Sequence, residues 1–200
     1  MIKWPLPDKN NTMADLLRTF IAVKIDPDPV LLNMISELKG STDSKGIKWV
    51  DENNLHLTLK FIGNTMPGRV NEITSVLMNI AGNFPVFSFE MEGVGYFKSR
   101  GIPKVLFVKI IDKGSLKNLA DEIDIRLADI GFEREERQFH AHLTIARIKY
   151  IDDKQSFYRL TDKYKSCPLQ KVKVKELILY QSILKSHGPF YKELSVVRLK

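Results

Sequence analysis

The 200-residue chain contains one cysteine, Cys167, and only four histidines. A single thiol excludes an internal disulfide and suits a reducing compartment, so the expected location is the cytoplasm. Without a Cys/His cluster at zinc-finger spacing, no structural zinc site is expected. No apolar stretch approaches the roughly 20 residues of a membrane span, and the polar start over Met1–Asn11 has no apolar signal core. Low-complexity segments and linkers are also missing, so whatever units the chain forms fold together. What is present suits a globular protein: 44% hydrophobic and 28% charged residues, over a length sufficient for one domain or a compact bilobal unit. The charge is unbalanced, with 31 Lys and Arg against 24 Asp and Glu, a net +7. Such an excess favours polyanionic partners, nucleic acid or phosphate esters, although solubility alone also accounts for it.

Hydrophobic periodicity gives an alternating order of elements. Thr19–Ile25 reads as a strand, and Asp26-Pro27-Asp28-Pro29 ends it and opens a helix carrying Leu31, Met34, Ile35 and Leu38. Short strands follow at Lys48–Val50 and Leu55–Ile62, then a helix from Pro67-Gly68 with Val70, Ile73, Leu77 and Ile80. Strands at Val86–Glu92 and Val105–Ile111 are expected to flank a basic loop, Gly93–Pro103. A helix through Leu116, Leu119, Ile123, Leu127 and Ile130 ends at Gly131. The strand His142–Lys149, a short polar helix near Asp152–Tyr164, and a hairpin of Val172–Leu184 with Phe190–Leu199 complete the chain. Met1–Leu17 reads as an extension ahead of a domain over residues 18–200. The order predicts an α+β fold of two similar lobes, each mainly antiparallel sheet with outer helices, and a central cleft.

Two segments share one pattern. His56-Leu57-Thr58-Leu59 and His142-Leu143-Thr144-Ile145 each place a histidine two residues before a threonine in an apolar run. Residues i and i+2 of a strand share a face, so each segment presents an imidazole beside a hydroxyl over a hydrophobic anchor. Two rings titrating near neutrality can take and give a proton on opposite sides of a phosphorus centre, while threonine hydroxyls donate to its oxygens. One such pair occurs by chance; two, using two of four histidines, point to chemistry.

Around these motifs the chain resembles the 2H phosphoesterase superfamily, and within it the RNA 2′,3′-cyclic phosphodiesterases, also called 2′-5′ RNA ligases. Asn54–Gly63 and Phe139–Arg147 carry the paired signatures, and Arg18–Ala22, Gly131–Arg137, Gln181–Leu184 and Gly188–Tyr191 extend the likeness. The resemblance implies a bilobal fold and metal-independent opening of a 2′,3′-cyclic phosphate at an RNA end to a 2′-phosphomonoester, with no cofactor. It implies His56 and His142 as acid–base pair, with His56 taken as the acid at O3′ and His142 as the base for water. Thr58, Thr144 and Arg147 are implied as phosphate ligands. The implied partner is RNA bearing a cyclic phosphate, tRNA fragments included, and a monomer is the expected state of a self-contained bilobal unit. Ala141 stands where the family commonly has proline. Three alternatives stay open: 2′-5′ ligation as the main role, action on a small cyclic nucleotide, and noncatalytic binding of RNA ends.

By strict alternation Arg147 lies off the histidine face and needs a bulge to reach phosphate. Lys60 shares the face of His56 and Thr58, as a phosphate contact or a strand-end surface residue. His140 with His142 could form a metal pair, but no third ligand lies nearby in sequence. His187 reads as a turn residue. Phe97, Phe139 and Tyr191 are candidates for stacking a base or for packing, and Lys98, Arg100 and Lys104 for guiding RNA. Asp121, Glu122 and Asp124 read as solvent-facing on their helix.

Overall fold

The computed structural model describes residues 16–42, 45–186 and 188–200. His187 and most of the N-terminal extension therefore lie outside the described residues. Nine strands and four helices follow in the order β1 (Leu17–Lys24), α1 (Pro29–Ser41), β2 (Ile47–Trp49), β3 (His56–Thr65), α2 (Val70–Asn83), β4 (Phe87–Ser99), β5 (Ile102–Ile111), α3 (Ser115–Asp129), β6 (His142–Ile148), α4 (Lys154–Lys163), β7 (Pro168–Val174), β8 (Glu176–Lys185) and β9 (Gly188–Arg198). Local signals set the helix ends: the Asp28 carboxylate accepts from Leu31 N–H with Pro29 in the first turn of α1, as capping requires.

Two antiparallel sheets form, ordered β3-β1-β8-β9 and β2-β6-β5-β4-β7. The α+β class and the two sheet-and-helix lobes agree with expectation, but the lobes are not the two halves of the chain. The closing hairpin β8–β9 completes the first sheet, and β2, from the first half, joins the second beside β6. The correspondence is nevertheless close. In each sheet the motif strand, β3 or β6, pairs with the strand that precedes a helix, β1 or β5. Helix α1 leaves the first sheet to pack on β7 and α4, and α3 leaves the second to pack on β3 and α2. One continuous apolar core, including Leu57, Leu59, Leu143, Ile145, Leu77 and Leu119, joins the outer sheet faces to the helices.

Two expectations change. The supposed basic loop Gly93–Pro103 is a continuation of β4 into a two-residue turn, Arg100-Gly101, both at positive φ, the geometry of a tight hairpin. The supposed strand Val172–Leu184 is two strands in different sheets, β7 against β4 and β8 against β1, with Lys175 between them.

Candidate active site

β3 and β6 face one another across a cleft of about 1550 Å³ between the sheets. His56, Thr58, His142, Thr144 and Arg147 all line it. The leucines and isoleucine of both motifs are buried beneath them. Both imidazoles are held in the same way. His56 Nδ1–H donates to the Asn54 carbonyl at 2.7 Å, and His142 Nδ1–H donates to the His140 carbonyl at 2.7 Å. A carbonyl only accepts, so Nδ1 carries a proton in each ring and Nε2 is the nitrogen left for exchange.

Each ring also rests on aromatics. His56 meets Phe20 and Tyr191, each 5.0 Å between centroids, and His142 meets Phe97 edge-on at 5.0 Å and Phe107 at 5.7 Å. Phe97 and Tyr191 thus seat the histidines, and Phe139 packs on the core. Lys98, Arg100 and Lys104 are not among the cleft-lining residues. Burial lowers the pKa of His56, and the charges of Arg147 and His142 lower it further, against the raising effect of the Asn54 carbonyl.

A bulge in each motif strand decides two further positions. In β6, Leu106 pairs with Ala146 and Phe107 with Thr144, leaving Ile145 as an extra residue. Ile145 and Ala146 are both buried, so Arg147 returns to the face of His142 and Thr144. In β3, Ile21 pairs with Lys60 and Ala22 with Thr58, leaving Leu59 extra at the equivalent place. This turns Lys60 away from the histidine face. It is 6% exposed and ion-paired with Asp124, and it donates to the Glu133 carbonyl at 2.8 Å. The surface expectation for Lys60 does not hold, since the side chain is buried at the edge of the cleft, and Asp124 is buried rather than solvent-facing. Phe61 then takes the position equivalent to Arg147. It is 58% exposed in the cleft, an aromatic face that strict alternation hid. His140 is exposed, and among the described residues no cluster of three or more His, Cys, Asp or Glu side chains is arranged to hold a metal. No helix among the described residues is long and apolar enough to cross a membrane.

Fold and sequence place the chain among the 2H phosphoesterases. It belongs to the LigT-like phosphoesterase family, whose model matches residues 23–107 and 110–191. It is 33% identical over 180 residues to an RNA 2′,3′-cyclic phosphodiesterase of Archaeoglobus fulgidus, covering 90% of this chain and 99% of that one. A protein of the same name from Thermotoga maritima is 34% identical over 180 residues, 89% of this chain and 93% of the relative. Among solved structures, the Thermus thermophilus protein TT0787 superposes with a TM-score of 0.76 at 25% identity, over 92% and 98% of the two chains. E. coli LigT with 3′-AMP gives 0.70 at 20% identity over 92% and 99%, a likeness of fold.

Proposed function

We propose that the chain opens 2′,3′-cyclic phosphate ends of RNA to 2′-phosphomonoesters by two-histidine acid–base catalysis. The observation that carries this reading is the matched pair of imidazoles on one cleft, each tied through Nδ1 to the carbonyl two residues earlier. His142 Nε2 takes a proton from water as its oxygen bonds to phosphorus. The P–O3′ bond breaks, and His56 gives a proton to O3′. The product holds the phosphate on O2′, and the two rings have exchanged protonation states. Thr58 and Thr144 make no hydrogen bond through their hydroxyls among the described residues, which leaves both to donate to the non-bridging oxygens. Arg147 adds a fixed charge beside them.

His56 must hold a proton to act as the acid, yet its surroundings favour the neutral ring. An anionic substrate supplies the missing charge, so protonation of His56 is coupled to phosphate binding. Phe61 offers the terminal base a stacking surface on the same face.

Purified protein in EDTA, given an RNA oligonucleotide ending in a 2′,3′-cyclic phosphate, is expected to release a 2′-phosphate end, identified by chromatography against 2′- and 3′-phosphate standards. His56→Ala and His142→Ala each lower the rate about 10²-fold or more with native circular dichroism. Near-normal turnover by either variant would refute the mechanism, and tight binding without turnover by the parent protein would favour an end-binding role.

A further inference from the structure

The cations along the cleft divide into two groups. Toward α3, Lys60, Lys117 and Arg134 are each paired with Asp124 or Asp121. Arg137, also exposed and in no ion pair among the described residues, lines this end too, but Glu135 and Glu136 beside it bring the end to four cations against four carboxylates, with no net charge. Toward β2 and the β8–β9 hairpin the pattern differs. Arg18, Lys48 and Arg147 are exposed, line the cleft, and take part in no ion pair among the described residues. Asp51 is the carboxylate on that end of the lining.

These three cations come from both sheets and converge. Lys48 and Arg147 are register partners on β2 and β6, so their side chains share the cleft face. A Cβ placed on Gly188, at the start of β9, would lie 3.9 Å from Lys48 Nζ, so that ammonium reaches across to the opposite sheet. Arg18 alternates with Phe20 on the cleft face of β1, and both it and Arg147 act electrostatically on the Tyr191 hydroxyl, whose ring touches His56. The cleft also exceeds the roughly 300–1,000 Å³ typical of a small-molecule pocket, leaving room past a single nucleotide.

Resting on the cyclic-phosphate reading above, we propose that Arg18 and Lys48, together with Arg147, form a second phosphate subsite, for the phosphodiester that precedes the terminal nucleotide. The RNA strand then leaves the histidines toward β2 and the hairpin, because an end with net positive charge attracts a polyanion and a neutralised end does not. The substrate class follows: an oligonucleotide is held better than a mononucleotide 2′,3′-cyclic phosphate, which has no such phosphodiester.

The test compares a pentanucleotide ending in a 2′,3′-cyclic phosphate with adenosine 2′,3′-cyclic phosphate. Arg18→Gln and Lys48→Gln are each expected to raise KM for the pentanucleotide about 3- to 10-fold more than for the mononucleotide. Each also flattens the log–log salt dependence of pentanucleotide binding by about 0.7, one phosphate contact on a single strand. Lys117→Gln, at the neutralised end, leaves both substrates unaffected. Equal losses on both substrates, no loss on either, or an equal loss from Lys117→Gln overturns the subsite. Should the parent protein open neither substrate, the catalytic reading fails, and the subsite is decided by fluorescence anisotropy of a pentanucleotide ending in a 2′-phosphate. Weaker binding by the Arg18 and Lys48 variants alone sustains it, and unchanged binding refutes it.

Discussion

At His56 one imidazole is subject to opposing influences. Burial against Phe20 and Tyr191 disfavours the imidazolium, Arg147 and His142 disfavour it further, and the Asn54 carbonyl favours it. The sign of each effect makes the ring a reporter of its neighbours. Removing a positive charge stabilises the imidazolium, so in Arg147→Gln the His56 midpoint, followed by its Cε1–H proton resonance, is expected to rise. Inorganic phosphate bound between the threonines adds negative charge and moves the midpoint the same way. A His56 titration indifferent to both changes would show that the cleft does not couple these groups. At this scale the sequence was informative about the motif residues, because each side chain's type and spacing of two were visible directly. It was silent on Phe61 and misleading on Lys60, since a bulge exchanges faces without changing a residue.

The bulges belong to strands, and so does the device that seats His142. Gly95 on β4 pairs with Phe107 on β5, and a Cβ on Gly95 would come within 2.8 Å of the Phe107 ring. The bare glycine lets that ring lie over the neighbouring strand, where Phe97 stacks on it at 4.2 Å and His142 meets both. Gly95→Ala is expected to tilt Phe107 and slow turnover about 10-fold or more, in line with the cost of misplacing a reacting group, while Gly82→Ala, in open space on α2, has no such effect. Unaltered kcat in Gly95→Ala would mean that the aromatic stack does not position the imidazole. Element order and helix positions were readable because caps and apolar spacing are local. The β7–β8 break was not: alternation slips by one residue at Lys175-Glu176, a shift that a bulge within one strand would also give, and no glycine or proline marks the crossing between sheets. Gly93, at positive φ inside β4, looked like a loop because a bulge and a turn use the same residue.

Across the whole molecule, one buried ionic cluster links the first motif strand to the segment leading into the second. Asp124 on α3 accepts from Lys60 of β3, from Arg134 Nε at 2.8 Å and from the Glu135 N–H at 2.9 Å. Burial pushes the Asp124 carboxyl upward, but the hydrogen bonds from Lys60 and Glu135, the Lys60 charge and Arg134 outweigh it, and its pKa lies below the ordinary value. A depressed carboxyl pKa stabilises the fold fully above the unfolded range, about pH 4, and that contribution is lost as pH falls through the lower folded value. Asp124→Asn leaves Lys60 buried without its counterion, a change that typically costs about 3–5 kcal/mol. The variant is therefore expected to show a much lower urea midpoint at pH 7 than the parent. Below pH 4 the gap narrows, because the parent loses the same interaction by protonation. An equal difference in midpoint at both pH values would show that the charge on Asp124 does not tie the first motif strand to the segment leading into the second.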